Sequence, residues 1–372
     1  MNPFIIKGYL SPKYFCDREK ETARILGAIS NQRNLTLVSL RKMGKTGLIF
    51  HVFNELKHLQ THETLYLDIY HTDNLSGLIN QLGTGIFRMK KSFKSQITDF
   101  LNNFRRVRPV ITMDSLTGNA SLSFSVSSDE DAHQTLEDLF SIIGSRSQKI
   151  PIVVAIDEFQ QIDRYPERNV EALLRGLIQN MHRVIFIFSG SSRTILSGMF
   201  TDAKRPFYQS TEMMFLDEIP VSEYSQFIKT TFGKNKKVIP DKVIEKTLRW
   251  TRSHTFYVQY VCNKLYEISD TEINEEMFDR IAYEILEMNQ SFYYEFRNLI
   301  TTNQWQLLRA IAKEDCVENI TASAFIKKYK LTNPSTIRRG IESLLEKEMI
   351  YQKGKRYYVY DPFFSRWLRV QD

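Results

Sequence analysis

The apolar run Leu35-Thr36-Leu37-Val38 leads straight into Ser39-Leu40-Arg41-Lys42-Met43-Gly44-Lys45-Thr46, and then into the helical pattern Gly47-Leu48-Ile49-Phe50-His51-Val52-Phe53. A buried strand, a tight turn closing on Gly-Lys-Thr and a helix form the context of a phosphate-binding loop. Backbone N–H groups at the start of such a helix face an anion, and the helix dipole adds to their field. Lys45 would reach the β and γ phosphates as a point charge, and the Thr46 hydroxyl would ligate Mg²⁺. Arg41, Lys42, Met43, Gly44 and Gly47 complete the candidate nucleotide cradle. The usual pattern opens on glycine, whereas Ser39 stands there. Gly44, beside the lysine, is where backbone comes nearest to phosphate, and its presence outweighs the missing first glycine. The alternative is a basic turn with no ligand.

A second stretch decides against that alternative. Pro151-Ile152-Val153-Val154-Ala155-Ile156 ends in Asp157-Glu158. Consecutive aliphatics describe a strand buried on both faces, as in a parallel sheet under helices. Carboxylates at its C-terminal end stand where doubly wound sheets place their ligands. Asp157 is expected in the Mg²⁺ shell, and Glu158 to orient or deprotonate the attacking water. A further apolar run, Val184 to Phe188, ends in Ser189-Gly190-Ser191-Ser192, so Ser191 or Ser192 is a candidate contact to the γ-phosphate or water. Arg205 is an arginine-finger candidate whose ordinary alternative is a surface salt bridge.

The remaining pattern alternates helices and strands. Asp17 is expected to cap a first helix, Thr64–Ile69 to form a strand, and Met213–Leu216 a fifth strand. Residues 90–108 read as a basic amphipathic stretch with Phe93, Ile97, Phe100, Leu101 and Phe104 on one face. Val110–Thr112 and Ala120–Val126 predict a β-hairpin, an excursion over about 108–127. From about 217 to 300 the apolar spacing is helical throughout. From 301 onward three helix patterns and a β-ribbon around Gly354 spell a winged helix. Its third helix starts at Thr332-Asn333-Pro334-Ser335, a good cap, and carries Thr336, Arg338 and Arg339; the wing carries Lys353, Lys355 and Arg356. DNA is therefore a candidate partner, against an intramolecular or protein-binding use of the same fold. Asp361 to Trp367 is an aromatic tail expected to dock on the winged helix.

With 42% hydrophobic and 12% aromatic residues the chain is a packed globular protein, and its 372 residues allow two or three domains. The net charge of +7 leaves room for an acidic partner, nucleotide or nucleic acid alike. The three cysteines, Cys16, Cys262 and Cys316, lack metal spacing and read as thiols of a reducing compartment. No apolar run approaches the length of a membrane span. A soluble, cytoplasmic protein without a membrane partner is expected.

Taken in order, Tyr14-Phe15-Cys16-Asp17-Arg18-Glu19, Arg41 to Thr46, Ile156-Asp157-Glu158-Phe159-Gln160, Phe188 to Ser192 and Asp361-Pro362-Phe363-Phe364 resemble the AAA-type P-loop ATPases of the archaeal-ATPase group within the STAND NTPases. The resemblance covers nearly the whole chain. It implies an α/β P-loop NTPase core of the ASCE/AAA type over 1–216, a helical lid over 217–300 and a winged-helix domain over 301–372. It also implies that Phe15 and Arg18 lie near the nucleotide base, with ATP and Mg²⁺ as cofactors. Four departures stand out: Ser39 for glycine, Gln209-Ser210 where the family tends to carry Gly-Arg, Ser253-His254-Thr255 where its lid often has a Gly-x-Pro turn, and Lys42 where the family usually has the second of two arginines. The second puts a conventional arginine finger in doubt; the third leaves His254 as a suggested phosphate contact, against a structural role beside Phe256 and Tyr257.

The expected function is an ATP-binding and ATP-hydrolysing switch in which Mg-ATP sits between core and lid and its hydrolysis changes how lid and winged helix pack. Turnover is expected to be slow until a protein partner or a second copy of the chain completes the site. Two alternatives stay open: a winged-helix DNA-binding regulator in which nucleotide is structural, and an interaction scaffold with a degenerate site.

Overall fold

The computed structural model describes residues 1–89, 104, 106–107, 109–113 and 120–371, which form two compact units: Gly8–Asp217, and Glu218–Asp372 together with Met1–Lys7.

The first unit is built on a five-stranded parallel sheet. Its strands are β1 (Leu35–Val38), β2 (Glu63–Asp68), β5 (Ile152–Asp157), β6 (Val184–Gly190) and β7 (Glu212–Phe215), in the order β2-β5-β6-β1-β7. Every pairing is parallel, so every strand presents its C-terminal end at one edge. The aliphatic runs are continuous because both faces are covered. Ile152, Val154, Ile156, Phe186 and Phe188 point into one core, while Val153, Ala155, Ile185 and Ile187 point into the other. Helices α1 (Glu19–Ser30) and α2 (Lys45–Leu59) close the second face through Ile25, Ile29, Leu48 and Val52. Helices α3 (Leu75–Arg88), α4 (Asp129–Ser147), α5 (Val170–Gln179) and α6 (Arg193–Thr201) close the first. Each fully buried aliphatic or Phe removes enough apolar surface to favour folding by about 1.5–3 kcal/mol.

The expected hairpin is present as its own antiparallel pair, β3 (Val110–Met113) with β4 (Ala120–Ser123). It packs on α3 rather than joining the sheet, burying Leu122 and Phe124 in the first core. Most of the basic amphipathic stretch expected over 90–108 lies outside the described residues. Phe104, from its apolar face, is buried against Phe124 at 5.0 Å.

The second unit begins with four helices, α7 (Val221–Lys234), α8 (Asp241–Trp250), α9 (Thr255–Ile268) and α10 (Glu275–Asn298). The winged helix follows: α11 (Thr302–Glu314), α12 (Ser323–Tyr329), α13 (Pro334–Glu346), the ribbon β8 (Ile350–Lys353) with β9 (Arg356–Val359), and α14 (Pro362–Val370). Asn333 caps α13 through Thr336 N–H at 3.0 Å, with Pro334 in its first turn. The aromatic tail docks more widely than expected. Phe364 and Trp367 pack on Tyr293 and Trp305, but Phe363 reaches back to Trp250, Tyr257 and Tyr260 in the helices before the winged helix. Asp315 strengthens the same junction. It accepts from Arg252 at 2.9 Å and Arg366 at 3.0 Å, while Arg366 also donates to the Trp250 carbonyl.

Met1–Lys7 belongs to this second unit because Phe4 is buried there against Phe232, 4.8 Å between ring centroids. Asn263 pins the segment by donating to the Phe4 carbonyl at 2.8 Å. Among the described residues no helix is long and apolar enough to cross a membrane.

Candidate active site

The loop between β1 and α2 carries the first half of the site. Gly44 sits at φ +93°, a conformation strained for any side chain, and caps α2. Ser39 shows why the departure at the head of the motif is tolerated. It is absent from the left-handed residues, and its N–H bonds to Gly190 O while its hydroxyl turns to Leu40 O at 3.0 Å. A backbone with negative φ does not demand glycine.

Lys45, the first residue of α2, is buried and bridges two carboxylates. Its Nζ lies 3.1 Å from Asp157 Oδ1 and 3.1 Å from Glu158 Oε1. Thr46 Oγ1 donates to Asp157 Oδ2 at 2.8 Å. The candidate residues of the loop and of the β5 end therefore meet in space, as the shared C-terminal edge requires. Met43 is buried; Arg41 and Lys42 lie at the surface, and Arg41 Nε donates to Ser191 Oγ at 3.4 Å. Gly47 has the Phe15 ring beside it.

Three residues that sequence reasoning missed complete the arrangement. Tyr66 OH donates to Asp157 Oδ2 at 2.8 Å, Ser189 Oγ donates to Asp157 Oδ1 at 2.6 Å, and Gln160 Nε2 donates to Glu158 Oε2 at 2.5 Å. Strand register brings the first two in. Asp68 pairs with Asp157, so Tyr66 lies two residues back on the neighbouring strand; Ile156 pairs with Phe188, so Ser189 lies beside Asp157. Of the two serine candidates, Ser191 is buried and donates to Glu158 Oε2 at 2.8 Å, whereas Ser192 stands at the N-cap position of α6 without a side-chain capping bond.

Burial alone would raise both carboxylates, but Lys45 and the donors around them outweigh it. Asp157 is held below the ordinary Asp value by Lys45, Ser189, Thr46 and Tyr66. Glu158 is held below the ordinary Glu value by Lys45, Gln160 and Ser191, against the opposing charge of Asp157. Burial, and then Asp157, push the Tyr66 phenol well up, so it stays a donor.

The donor set fits a magnesium ion. Thr46 and Asp157 offer one hydroxyl and one carboxylate, and among the described residues no group of three or more His, Cys, Asp or Glu could cage a metal. A hard cation that keeps waters and takes phosphate oxygens needs no more than one or two protein ligands.

The other candidates lie apart from this cluster. Asp17 does not cap α1; Arg18 occupies that position at φ +74°, buried, with Nη1 on Glu21 at 2.8 Å and Nη2 on the Asp217 carbonyl at 2.6 Å. Asp17 is itself left-handed at φ +53°, outside the extended conformation an N-cap usually takes. Arg205 takes its ordinary alternative, pairing with Asp163 at 2.7 Å and with Glu171. His254 is buried in the second unit with its ring 5.1 Å from that of Tyr257.

Comparison with known proteins agrees with this geometry. A family model described as "ATPase domain predominantly from Archaea" matches residues 15–261, and one described as "Probable winged helix domain" matches residues 291–370. No curated protein matches the sequence. Among solved structures the chain is similar to a Walker-type ATPase of Pyrococcus abyssi, at TM-score 0.70 and 17% identity over 99% of this chain and 100% of that one. It is also similar to the Orc2 protein of Aeropyrum pernix, solved as ADPNP–ADP complexes, at TM-score 0.61 and 12% identity over 99% and 96%. The Orc1 protein of the same organism, solved in complex with DNA, matches at TM-score 0.53 and 12% identity over 96% and 94%. At these identities the likeness is one of fold. The ATPase family model spans residues 15–261, most of the chain, including the loop and strand whose side chains meet at Lys45: the protein belongs to the ATPase domain family found predominantly in Archaea.

Proposed function

We propose that this ATPase is a molecular switch of the AAA/STAND type, in which the nucleotide bound at the Gly44-Lys45-Thr46 loop governs how the helical region and the winged helix pack. One observation carries the reading: buried Lys45 stands between Asp157 and Glu158, with Thr46 on Asp157, at the C-terminal edge of a parallel sheet. Lys45 would leave the carboxylates for the phosphates of ATP, because a phosphate chain offers it more negative charge. Arg41, Lys42, Met43, Gly44 and Gly47 shape the loop around those phosphates, and Arg18 orders the chain before α1 near the base. Thr46 and Asp157 would hold magnesium, which when bound neutralises phosphate charge. Glu158 would take the proton of the attacking water, its ionised state secured by the donors around it. Ser191 links Arg41 to Glu158 and so would report the state of the phosphate loop.

Turnover in the isolated chain is slow on this reading. Arg205, the arginine-finger candidate, is committed to Asp163 and Glu171, so transition-state charge awaits a cation from a protein partner or a second copy of the chain. The free cysteines accord with a cytoplasmic location. Hydrogen exchange across residues 218–372, with and without Mg-ATP, tests the switch. Protection that changes in the wild type and not in Lys45→Ala supports it. Identical exchange in both states refutes it.

A DNA-binding role for the winged helix has its own support. Arg338 and Arg339 are exposed at the start of α13, and the Aeropyrum Orc1 protein of like fold was solved with DNA. On the wing, Lys353 pairs with Glu218 and Arg356 approaches Glu318 at 3.9 Å, so part of its charge is already neutralised. Arg338→Ala with Arg339→Ala would lower duplex affinity and its salt dependence. Unchanged binding would assign the winged helix to protein contacts.

A further inference from the structure

The two oxygens of Glu158 have different partners. Oε1 faces Lys45 Nζ at 3.1 Å, while Oε2 accepts from Gln160 Nε2 at 2.5 Å and Ser191 Oγ at 2.8 Å. Glu158 itself stands at φ +57°, a left-handed residue between β5 and the short 3₁₀ turn Phe159–Arg164, so its placement is imposed by its surroundings rather than by local preference. Gln160 is buried, and its side-chain carbonyl comes up against Gly190, the last residue of β6. A Cβ at Gly190 would fall 1.9 Å from Gln160 Oε1 and 3.0 Å from its Cδ. No side chain fits at 190 while Gln160 keeps this position. Packed against the Gly190 backbone, this buried amide presents its Nε2 donor to one oxygen of the carboxylate and helps to place it.

We infer that Gln160, seated on Gly190, is a positioning residue that anchors Glu158 Oε2 so that Oε1 is the oxygen left to face water. The inference rests on the reading of Glu158 as general base. On that reading nucleotide binding draws Lys45 away and frees Oε1, while Oε2 keeps both neutral donors. The carboxylate then gains a working lone pair without gaining rotational freedom. Proton transfer is sensitive to this: the base must sit within hydrogen-bond reach of the water, and misplacement by about 1 Å costs on the order of a hundredfold in rate.

The test is steady-state Mg-ATP hydrolysis by the full chain for the wild type, Gln160→Leu and Gly190→Ala. Gln160→Leu deletes the donor; Gly190→Ala leaves the glutamine intact but evicts it from its seat. Both should lower kcat by about ten- to a hundredfold. KM should stay within about twofold, so the loss falls on kcat alone. The double variant should be no slower than the slower single one, because both act on one contact. Wild-type kcat in Gln160→Leu would overturn the inference while leaving the hydrolase reading in place. So would a loss of ATP affinity in step with kcat, which marks a merely structural residue. A wild type without turnover, or Glu158→Gln turning over like the wild type, would overturn the general-base reading and this inference with it.

Discussion

Replacing Lys45 removes more than a phosphate ligand, because its ammonium sits on two carboxylates, Asp157 buried and Glu158 half-buried. Asp157 and Glu158 follow one another in the chain, and each lies 3.1 Å from Nζ. Taking one partner from a buried ion pair costs about 3–5 kcal/mol. Asp157 keeps donors from Thr46, Tyr66 and Ser189, and Glu158 keeps Gln160 and Ser191, so the lower end, about 3 kcal/mol, is expected for Lys45→Ala. For a unit of this size that is a drop of about 6–12 °C in Tm. The deficit must depend on pH with a definite sign. In the wild type Lys45 holds both carboxylates below their ordinary values; without it, burial and mutual repulsion raise them. A group with a raised folded-state pKa lowers stability as pH climbs through that value, so the deficit grows from pH 4 toward neutrality. Thermal unfolding of the two nucleotide-free proteins across that range reads it directly. Equal Tm values at pH 7, or a deficit that shrinks with rising pH, would refute the electrostatic account of the site.

Three further outcomes follow from particular contacts. Tyr66→Phe removes one donor to Asp157 and should cost about 0.5–1.5 kcal/mol, with the Mg²⁺ concentration needed for half-maximal ATPase rising severalfold; an unchanged requirement contradicts a role in holding the metal ligand. Asp315→Ala leaves Arg252 and Arg366 facing each other without their carboxylate, and urea unfolding should show the cost: about 1–3 kcal/mol, discounted from the fully buried case because Asp315 is 41% exposed. Burial alone would raise Asp315, but its arginines hold it below the ordinary value, so its contribution is present above about pH 4 and fades as pH falls further; the deficit should narrow in acid. Phe4→Ala empties a fully buried site on Phe232 and should destabilise residues 218–372 by about 3–5 kcal/mol, read as faster hydrogen exchange in α7 and α9.

What could be read from the chain alone was whatever is written contiguously. The aliphatic run at Ile152–Ile156 announces a strand covered on both faces, and Gly44-Lys45-Thr46 announces its turn, because strand, turn and helix follow one another without a gap. The partners of Asp157 are not contiguous. Tyr66 and Ser189 reach it through the register of β2 and β6 on β5, which no local pattern encodes. Gln160 was legible as a residue two places past Glu158, but not its seat, which depends on Gly190 lacking a side chain on another strand. Asp17 misled because a good capping residue was outweighed by Arg18, whose guanidinium is anchored far along the chain at Asp217. Phe4 gave no local sign that it packs beside Phe232, since that contact is made across more than two hundred residues. Arg205 resolved to ion pairs because Asp163 and Glu171 come from a turn and a helix start that only the folded sheet brings together.

The most direct test of the central claim is to set ATP binding beside ATP hydrolysis in Glu158→Gln, with wild type and Lys45→Ala as references. The account predicts that Glu158→Gln binds Mg-ATP at least as tightly as the wild type but turns it over at least about a hundredfold more slowly, while Lys45→Ala fails to bind. Wild-type turnover in Glu158→Gln, or undiminished binding in Lys45→Ala, would contradict it.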